Sequence, residues 1–566
     1  MTPTALTVAC FVLYIVGYRF YGTRLARRAF DVDPDRPTPA HTCRDNVDFI
    51  PTNRFVLFGH HYCSIAGLAP MLGPAIAVIW GWAPAMLWVV LGTILIGAVH
   101  DFSALMLSVR HQGRGIGAVA ESVITPRARG LFLALIFFLI SMAMGVFVLV
   151  VAGLFSDVGG NTTAHPEAVV PTFSLMGIAM AMGWLVYRKG VKLGLVTVAG
   201  FALMLFFTGW GMEHPVSGIG RETWMFVLLA YAACASILPV WLLLQPRDYL
   251  NSLLLYLGLG SVFLGFFLLA PTFSAPAVNL HPEGAPPLFP FLFIVIACGA
   301  VSGFHGLVSS GTTSKQLDRE PDGCMIGYGG MVGESILGLS AVLACTAGFA
   351  SVANWNTYYA SWGAASGLAA KLSAFISGTG LFVSQLGVPR GFAEAFMSVI
   401  VVAFALTSID SGARLLRYTF HEIGESLGIA MLGNRYIATL AGVISIGFFA
   451  FFKVDGKPAG LFLWALFGTT NQILAGITLL AATVYLFRKK RPYLYTMLPM
   501  GLVLTVTIWA MGKNLIAYVD KAQWGLTLVG ATILALALWV CVEAILVLRN
   551  LKNGAPAPDV GTEGEG

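Results

Sequence analysis

Charged residues are scarce in this 566-residue chain: Asp, Glu, Lys and Arg make up 11% of it, whereas hydrophobic residues make up 57%. Because an ordinary soluble domain carries about 25% charged residues, this composition excludes a soluble globular protein. Mean hydropathy is +0.80. Apolar runs of about 20 residues, each long enough to cross a bilayer, recur along nearly the whole chain. The predicted fold class is an all-α polytopic membrane protein.

Patterns typical of catalytic or metal centres are lacking. Eight cysteines are spread along the chain, mostly in apolar segments, without the spacing of metal ligands. No H-E-x-x-H, G-x-S-x-G or serine–lysine pattern occurs at a suitable membrane depth. A membrane-embedded enzyme is therefore the least favoured alternative. No cofactor is expected other than Na⁺ or H⁺ as a coupling ion.

The few basic residues divide the loops into two sets. Loops such as 156–167 and 273–287 are acidic or neutral, whereas the alternate loops are basic. The positive-inside rule makes the basic side cytoplasmic. The net charge of +6 lies in these short loops, so it predicts orientation in a lipid bilayer and not nucleic-acid binding. The basic set comprises Arg110, Arg114, Arg127, Arg129, Arg188, Lys189, Lys192, Arg247, Lys315, Arg319, Arg414, Arg417, Arg435 and the run 488–491.

About fifteen transmembrane helices are predicted from the apolar runs and the loop charges. An additional segment, 367–388, is long enough to cross, but counting it would place Arg414 and Arg417 outside. It is therefore predicted to be an extracellular hairpin. The predicted spans are 4–22, 55–81, 83–109, 130–155, 170–187, 191–210, 222–245, 250–272, 288–310, 325–350, 391–412, 435–452, 458–486, 492–511 and 524–548.

These spans define four regions of the chain. Residues 1–54 hold an N-terminal helix, with its N-terminus outside, and a cytoplasmic loop. Residues 55–487 form the predicted transporter core, and 488–549 form two C-terminal helices. Residues 550–566, rich in Gly, Pro and Glu, are predicted to be a disordered tail with the C-terminus in the cytoplasm.

Two apolar segments contain residues that do not sustain a helix. G-H-H-Y-C-S-I-A-G-L-A-P-M-L-G-P lies in 55–81, and C-G-A-V-S-G-F-H-G-L-V-S-S-G-T-T-S-K begins in 288–310. Non-helical backbone survives in a membrane only where protein buries it or it lines a cavity. Two broken helices of opposite direction are typical of an inverted-repeat transporter that binds substrate between them. Packing of small residues between helices is the alternative explanation.

The pattern after the second break resembles a sodium site of LeuT-type symporters. Thr407 and Ser408 are adjacent, and the carbonyl of Phe404 lies one turn earlier. Facing the unwound stretch at Ala66 and Gly67, these oxygens would form a sodium cage. Six spans separate the broken helices here instead of four, so the resemblance implies a LeuT-like inverted repeat with two extra helices. Back-bonding of the hydroxyls to their own helix is the alternative.

Ionisable residues inside the spans are candidates for coupling, because a charge in hydrocarbon costs about 3 kcal/mol and needs a partner or a role. Most lie toward the basic side. The coupling candidates are His60, Asp101, Glu334 and Asp410. The substrate-binding candidates, taken from the two breaks and the buried amides, are His60, His61, Ser64, Gly67, Ala69, Ser302, Gly303, His305, Ser309, Ser310 and Asn471.

Six strings in this order resemble the carbon starvation protein (CstA) family. The resemblance implies a bacterial inner-membrane transporter, related to the amino acid–polyamine–organocation superfamily, that takes up pyruvate or peptides when carbon is scarce. It also implies proton coupling for a pyruvate carrier. The strings are D-N-V-D-F-I-P-T-N-R-F-V-L-F-G-H-H (45–61), A-G-L-A-P-M-L-G-P (66–74), G-A-V-H-D-F (97–102), L-P-V-W-L-L-L-Q-P-R-D-Y-L (238–250), C-G-A-V-S-G-F-H-G-L-V-S-S-G-T-T-S-K-Q-L (298–317) and L-F-G-T-T-N-Q-I-L-A-G (466–476).

The sequence is therefore interpreted as a secondary active importer of a small carboxylate, driven by a proton or sodium gradient through alternating access. Pyruvate is favoured, with peptides or amino acids as alternatives, because no pair of buried opposite charges suits both termini of a peptide. A membrane nutrient sensor that binds the same ligand without net transport is the rival interpretation. The oligomeric state is left open by these patterns.

Overall fold

The computed structural model describes residues 2–161, 163–365, 367–454 and 456–552, and nearly all of them are helical. Helix α1 spans Pro3–Ala29, and α2 has two halves, α2a (Arg54–Ile65) and α2b (Ala69–Trp80). The remaining helices are α3 (Trp82–Arg110), α4 (Ile116–Val123), α5 (Pro126–Phe155), α6 (Pro166–Lys189), α7 (Leu193–Glu213), α8 (Arg221–Ile237), α9 (Leu244–Leu269), α10a (Leu288–Val295), α10b (303–313), α11 (Cys324–Ala347), α12 (Val352–Tyr359), α13 (Trp362–Ala365), α14 (Leu368–Ser384), α15 (Arg390–Leu427), α16 (Arg435–Phe451), α17 (Ala459–Arg488), α18 (Leu494–Asp520) and α19 (Trp524–Lys552).

The described residues contain 11 straight helices long and apolar enough to cross a membrane, and the bent α2 makes a twelfth. These twelve correspond to twelve of the fifteen predicted spans. The other three predictions fall on shorter helices: α8, the interrupted α10 and α16. The helical multi-pass fold is confirmed, whereas the count of fifteen stays a prediction. The tail predicted for 550–566 lies outside the described residues from 553 onward, and residues 550–552 end α19.

The two broken helices run side by side in opposite directions. The start of α2a lies beside the end of α10b, because the Thr52 amide donates to the Gln316 carbonyl (3.1 Å). The opposite end of α2b lies beside the loop that precedes α10a, where the Trp80 indole donates to the Pro286 carbonyl (3.2 Å). The predicted pair of discontinuous helices with opposite directions is therefore confirmed.

Helix α15 is the longest element, with 38 residues. At about 1.5 Å per residue it extends roughly 57 Å, well beyond the ~30 Å of a hydrocarbon core. It packs against both α2a and α5. A two-stranded antiparallel ladder, β1 (Lys453–Val454) with β2 (Lys457–Pro458), closes the turn between α16 and α17. The long helix therefore carries side chains from one face of the protein, past the breaks, to the other.

Helices α6 and α7 form a hairpin at the periphery. Only 44% of the apolar window of α6 and 22% of that of α7 is buried inside the protein, compared with 67% for α3 and 78% for α5. Their exposed sides are apolar, as expected of surfaces that face lipid. Among the described spans between the two breaks, these two bury the smallest share of their apolar windows.

Two predicted boundaries differ from the observed helices. Helix α15 runs past the predicted end at residue 412 to Leu427, so Arg414 and Arg417 lie within a helix and not in a loop. The sequence was expected to cross the membrane over 222–245 and to leave Arg247 in a loop. Helix α8 instead ends at Ile237, and α9 begins at Leu244, so Arg247 lies within the first turn of α9. Segment 367–388, predicted as an extracellular hairpin, contains α14, which packs against α2b, α9, α11 and α15. Its membrane depth stays a prediction.

The orientation can be tested with cysteines at two exposed positions, Val158 (53% exposed) and Leu427 (68% exposed). In intact cells, a membrane-impermeant maleimide should label V158C beyond the parent protein, because the 156–167 loop is predicted to face outward. L427C should be labelled only after the cells are permeabilised, because Leu427 is the last residue of α15 and lies at its end on the basic face. The reverse pattern would contradict the orientation derived from loop charge.

Candidate functional site

The first break lies where α2a ends against α15. Residues 66–68 leave the helix, and α2b resumes at Ala69 after a bend of 49°. Proline at position 70 lacks the amide that a continuous helix would need there. A methyl group at Gly67 would collide with Ser408 Oγ of α15, so this backbone approaches α15 more closely than any larger residue allows. The break and α15 therefore form one contact.

The second break is closed by an amide side chain from α17. Asn471 Oδ1 accepts from the Phe304 amide (2.9 Å) at the start of α10b, and its Nδ2 donates to Ser302 Oγ (3.0 Å). A side chain at Gly303 would collide with the Asn471 carbonyl. Asn471 thus satisfies a backbone donor that the break exposes. The predicted cavity role of Asn471 stays a prediction, since here it caps a half-helix.

The two breaks face each other across a small cavity. It has a volume of about 20 Å³ and is lined by Gly67 and Ala69 from α2, Cys298 and Phe304 from α10, and Ser408 from α15, among others. This is room for about one water molecule. A second cavity of about 750 Å³ shares Ala69 and Cys298 with it and opens between the 284–287 loop and the end of α18. The breaks are therefore reached from the face that carries the neutral loops.

The hydroxyls of α15 lie against the end of α2a, as the sequence predicted for a cation cage. Thr407 Oγ1 is 2.7 Å from the Phe404 carbonyl and 3.2 Å from the Cys63 carbonyl, and Ser408 Oγ is 3.3 Å from the Phe404 carbonyl. The oxygen of α2a that reaches Thr407 is that of Cys63, and not that of Ala66. Four oxygens from two helices meet here, a donor set that suits a hard cation. The sodium assignment itself stays a prediction.

A buried histidine cluster joins α3, α10b and α11. His305 Nδ1 is 3.0 Å from Asp101 Oδ2, and its Nε2 is 3.0 Å from Glu334 Oε2; His100 Nδ1 lies 2.7 Å from Asp101 Oδ1. All four side chains are fully buried. The Nδ1–Asp101 contact has hydrogen-bond geometry, whereas Nε2 and Glu334 face each other at ion-pair distance without it. Because a neutral imidazole carries one N–H, an ion pair with Glu334 forms when the ring carries a proton on both nitrogens. This cluster can therefore hold or release a proton.

A second buried group, the arginine cluster, joins α2a, α8, α9 and α15. Arg247 contacts Asp248 (2.5 Å) and also Asp410, and it donates to the Tyr231 hydroxyl (2.6 Å). Asp248 Oδ2 in turn lies 2.6 Å from His60 Nδ1. One arginine against two aspartates leaves a negative charge that a protonated His60 would neutralise. Asp410 is therefore paired inside the protein.

The remaining substrate candidates are buried in contacts between helices. His61 Nδ1 lies 2.9 Å from Thr313 Oγ1, so it links the two broken helices, and Ser64 Oγ lies 2.9 Å from Ser411 Oγ. Ser310 Oγ donates to the Gly306 carbonyl (2.7 Å), whereas Ser309 Oγ has no partner among the described residues. Gly67, Ala69 and Ser408 line the small cavity between the breaks. The other predicted binding residues, which do not line either of the two cavities described, are His60, His61, Ser64, Ser302, Gly303, His305, Ser309, Ser310 and Asn471.

The basic face below the breaks is closed by ion pairs. Asp48, in the loop before α2a, lies 2.6 Å from Arg414 and 2.9 Å from Arg417, both on α15. Burial alone would raise the pKa of Asp48, but the two guanidinium groups outweigh it and hold that pKa well below its usual range. Their contribution is therefore present above the ordinary pKa of an aspartate and is lost only as the pH falls through the lowered value. The closure persists at neutral pH.

Comparison with known protein families identifies the family of this chain. The profile described as "Carbon starvation protein CstA" matches residues 2–384 and 346–510. The chain belongs to the carbon starvation protein CstA family. The family resemblance predicted from the six strings is thereby confirmed.

Relatives at about one-third identity agree with this assignment. "Peptide transporter CstA" of Escherichia coli is 34% identical, over 86% of this chain and 77% of the relative; that of Campylobacter jejuni is 33% identical, over 91% and 80%. "Pyruvate/proton symporter BtsT" of Escherichia coli is 32% identical, over 90% and 81%. These relatives are transporters and not enzymes. The chain is accordingly a multi-pass membrane protein of a transporter family.

Solved structures of transporters are also similar to this chain. The nucleobase–cation symporter Mhp1, in a closed conformation, gives a TM-score of 0.37 at 14% identity, covering 91% of this chain and 97% of Mhp1. A manganese transporter of Eremococcus coleocola gives 0.41 at 11% identity, covering 89% and 99%. The geometry of the site is that of this protein and is not taken from these structures.

Sequence reasoning missed the partners of the buried charges. Arg247 and Asp248 lie in the string 238–250, which served for the family resemblance, but the loop assignment removed them from the list of intramembrane residues. The adjacent R-D pair, flanked by apolar segments, was the available signal. The sequence predicts His305 at the substrate and Glu334 as a coupling residue, without pairing the two. Their contact at 3.0 Å joins residues 29 positions apart on different helices, which no local pattern reveals.

Replacing Asp48 with Asn should loosen the basic face, because it removes the charge that faces Arg414 and Arg417. The readout is Cys63, a native thiol that is fully buried above this closure. In purified protein, D48N should raise the alkylation rate of Cys63, localised by mass spectrometry, several-fold. The exposed Asp35 of the same loop provides the matched control, and D35N should leave the rate unchanged. Equal rates in D48N and the parent protein would contradict a closing role for these ion pairs.

Proposed function

We propose that this protein is a secondary active importer of a small carboxylate, with pyruvate favoured and peptides or amino acids as alternatives. It would lie in the bacterial inner membrane with its N-terminus outside and its C-terminus in the cytoplasm. The relatives named for peptide transport and for pyruvate/proton symport support this proposal. So does the arrangement of a cavity open on one face, two breaks at its floor and ion pairs that close the other face. This is the arrangement that alternating access requires at one end of its cycle.

The size of the space between the breaks supports a small substrate. The cavity at Gly67 and Phe304 holds about 20 Å³, so a three-carbon acid requires less expansion than a peptide does. Non-helical backbone borders this space on both sides, and in a membrane such backbone survives only where protein buries it or it lines a cavity. The substrate would therefore lie between residues 66–69 and 298–304, where the two cavities meet.

Proton coupling is carried by one observation, the His305 imidazole placed 3.0 Å from both Asp101 and Glu334. A proton held at this site would be shared among groups on three different helices, one of which is the second broken helix. Moving α10b away from α3 or α11 would separate the imidazole from a carboxylate and change the affinity for that proton. Substrate movement and proton release would thus be linked through α10b.

This coupling can be tested with E334Q and H305Q in proteoliposomes. An inward proton gradient should drive accumulation of labelled pyruvate by the wild type, and both variants should lose at least about tenfold of it, because neither replacement takes up a proton. Exchange of internal for external pyruvate, which requires no net proton movement, should persist. E222Q, which neutralises an exposed carboxylate on α8, should accumulate pyruvate like the wild type.

Full accumulation by both variants would contradict the assignment of the proton to this cluster. Pyruvate binding by the wild type, without accumulation under any gradient, would instead support the nutrient-sensor alternative.

Sodium coupling is a second candidate, favoured by the oxygens of Phe404, Thr407, Ser408 and Cys63. If this cage binds Na⁺, the T407A/S408A double variant should lose any sodium dependence of uptake, measured as initial rate against sodium concentration. T419A removes a hydroxyl of the same helix that bonds only to the Leu415 carbonyl (2.9 Å) and should keep the dependence. A sodium dependence that persists in T407A/S408A would contradict a sodium site at these oxygens.

A further inference from the structure

A second large cavity, which we call the basic cleft, lies on the basic face, away from the breaks. Its volume is about 640 Å³, and it is lined by the ends of α1 and α3, by the loop after α1 and by residues at the end of α17. The proposed transport cycle uses none of these residues. The cleft therefore calls for an explanation that does not depend on the substrate.

Positive charge dominates the lining. Four cationic side chains, Arg36, Arg110, Lys489 and Arg491, face two carboxylates, Asp31 and Glu320. A cleft with an excess of cations at the membrane surface attracts anions.

The floor of the basic cleft is a fixed ion pair. The Glu320 side chain is fully buried and lies 2.8 Å from Arg110 and 3.2 Å from Arg36, while its Oε2 also accepts the Asp33 amide (3.0 Å). Buried carboxylates that accept several hydrogen bonds hold their partners in one geometry. Glu320 thus anchors two guanidinium groups and leaves most of the Arg36 fork available to the cavity.

The rim is exposed. The side chains of Arg36 and Arg491 are 35% and 42% exposed, and Arg491 is held by an exposed Asp31 at 2.5 Å. An exposed ion pair contributes little to stability because solvent screens it, so a ligand competes with Asp31 at small cost. Guanidinium groups present paired N–H donors that match the oxygens of a phosphate group.

The depth of the cleft matches that of lipid headgroups. Ala29 and Arg110 lie at the ends of α1 and α3, and Lys489 directly follows the end of α17, so the mouth lies where three membrane-crossing helices leave the apolar region. Phe30 and Tyr485 line the same cavity, and aromatic residues are enriched at this interface. We propose that the basic cleft binds a phosphate-bearing anion, and its depth favours the phosphate of an anionic phospholipid as the source.

The test compares two triple variants that remove the same number of charges. R36Q/K489Q/R491Q removes three positive charges from the cleft, whereas R188Q/K189Q/K192Q removes three exposed positive charges at the end of α6 on the same face. Native mass spectrometry of the purified full-length chain should detect a retained anionic phospholipid in the wild type and in the control. The cleft variant should retain at least about fivefold less.

Two additional arms identify the source of the phosphate. Nanodiscs of phosphatidylethanolamine with phosphatidylglycerol or cardiolipin should raise the Tm of the wild type by several degrees over phosphatidylethanolamine alone, and the cleft variant should lose this shift. Inorganic phosphate and ATP are added to the wild type in the neutral nanodiscs. A Tm shift with these and not with lipid would identify a soluble phosphate compound as the ligand, contradicting the lipid source but supporting the site.

Two controls test whether the variants fold. One is the Tm of each variant in neutral nanodiscs, and the other is R36K/R491K, which keeps both charges and their carboxylate partners. This variant should remain folded and retain the phosphate-bearing ligand more weakly than the wild type, because a lysine lacks the guanidinium fork. Equal lipid retention by the cleft variant and the wild type would overturn the proposal. Equal losses in both triple variants, or no Tm shift with lipid or soluble phosphate, would also overturn it.

Discussion

The fold depends on keeping every backbone polar group paired in a medium without water. An unpaired amide or carbonyl in an apolar environment costs roughly 2–7 kcal/mol, yet this chain interrupts two helices in the middle of its core. It does so at positions where other elements supply the missing partners. At the second break the Asn471 side chain accepts from the Phe304 amide. At the first, the hydroxyl of Thr407 reaches the Cys63 carbonyl. Helices α15 and α17 therefore make the breaks tolerable.

Buried charge follows the same logic. Every ionisable group in the two clusters except His100, whose partner Asp101 is its neighbour on α3, has a partner on another helix. The clusters therefore add ionic contacts between packed helices. The arginine cluster ties α15 to α2a, α8 and α9. The histidine cluster ties α10b to α3 and α11. The two broken helices are thus attached to different sets of neighbours, although His61 and Thr313 connect them directly.

Local sequence chemistry was sufficient for the broken helices and insufficient for the ionic partners. Gly67, Pro70 and the glycines around His305 cluster with serine, threonine and histidine inside apolar segments, so both breaks and their opposite directions followed from composition and loop charge. The hydroxyl pair on α15 was also readable, because its spacing from Phe404 is one helical turn. The positive-inside rule, however, treats each arginine as a loop residue. It therefore misplaced Arg247, whose charge is neutralised inside the protein by Asp248 and Asp410. Partners that tertiary packing brings together from distant positions cannot be identified from local sequence patterns.

The length of α15 has a mechanical consequence. Its hydroxyls at Thr407 and Ser408 touch the first break, and its far end at Leu427 lies 20 residues onward, or about 30 Å at 1.5 Å per residue. A rod pivoting near its middle behaves as a lever, so a tilt of about 5° at Thr407 would move Arg417, about 15 Å onward, by roughly 1.3 Å. Added to the 2.9 Å that separates Arg417 from Asp48, this displacement exceeds the ~4 Å limit of an ion pair. Binding or release of a ligand near Thr407 that shifts the local backbone only slightly would thereby separate the ion pairs at the basic face.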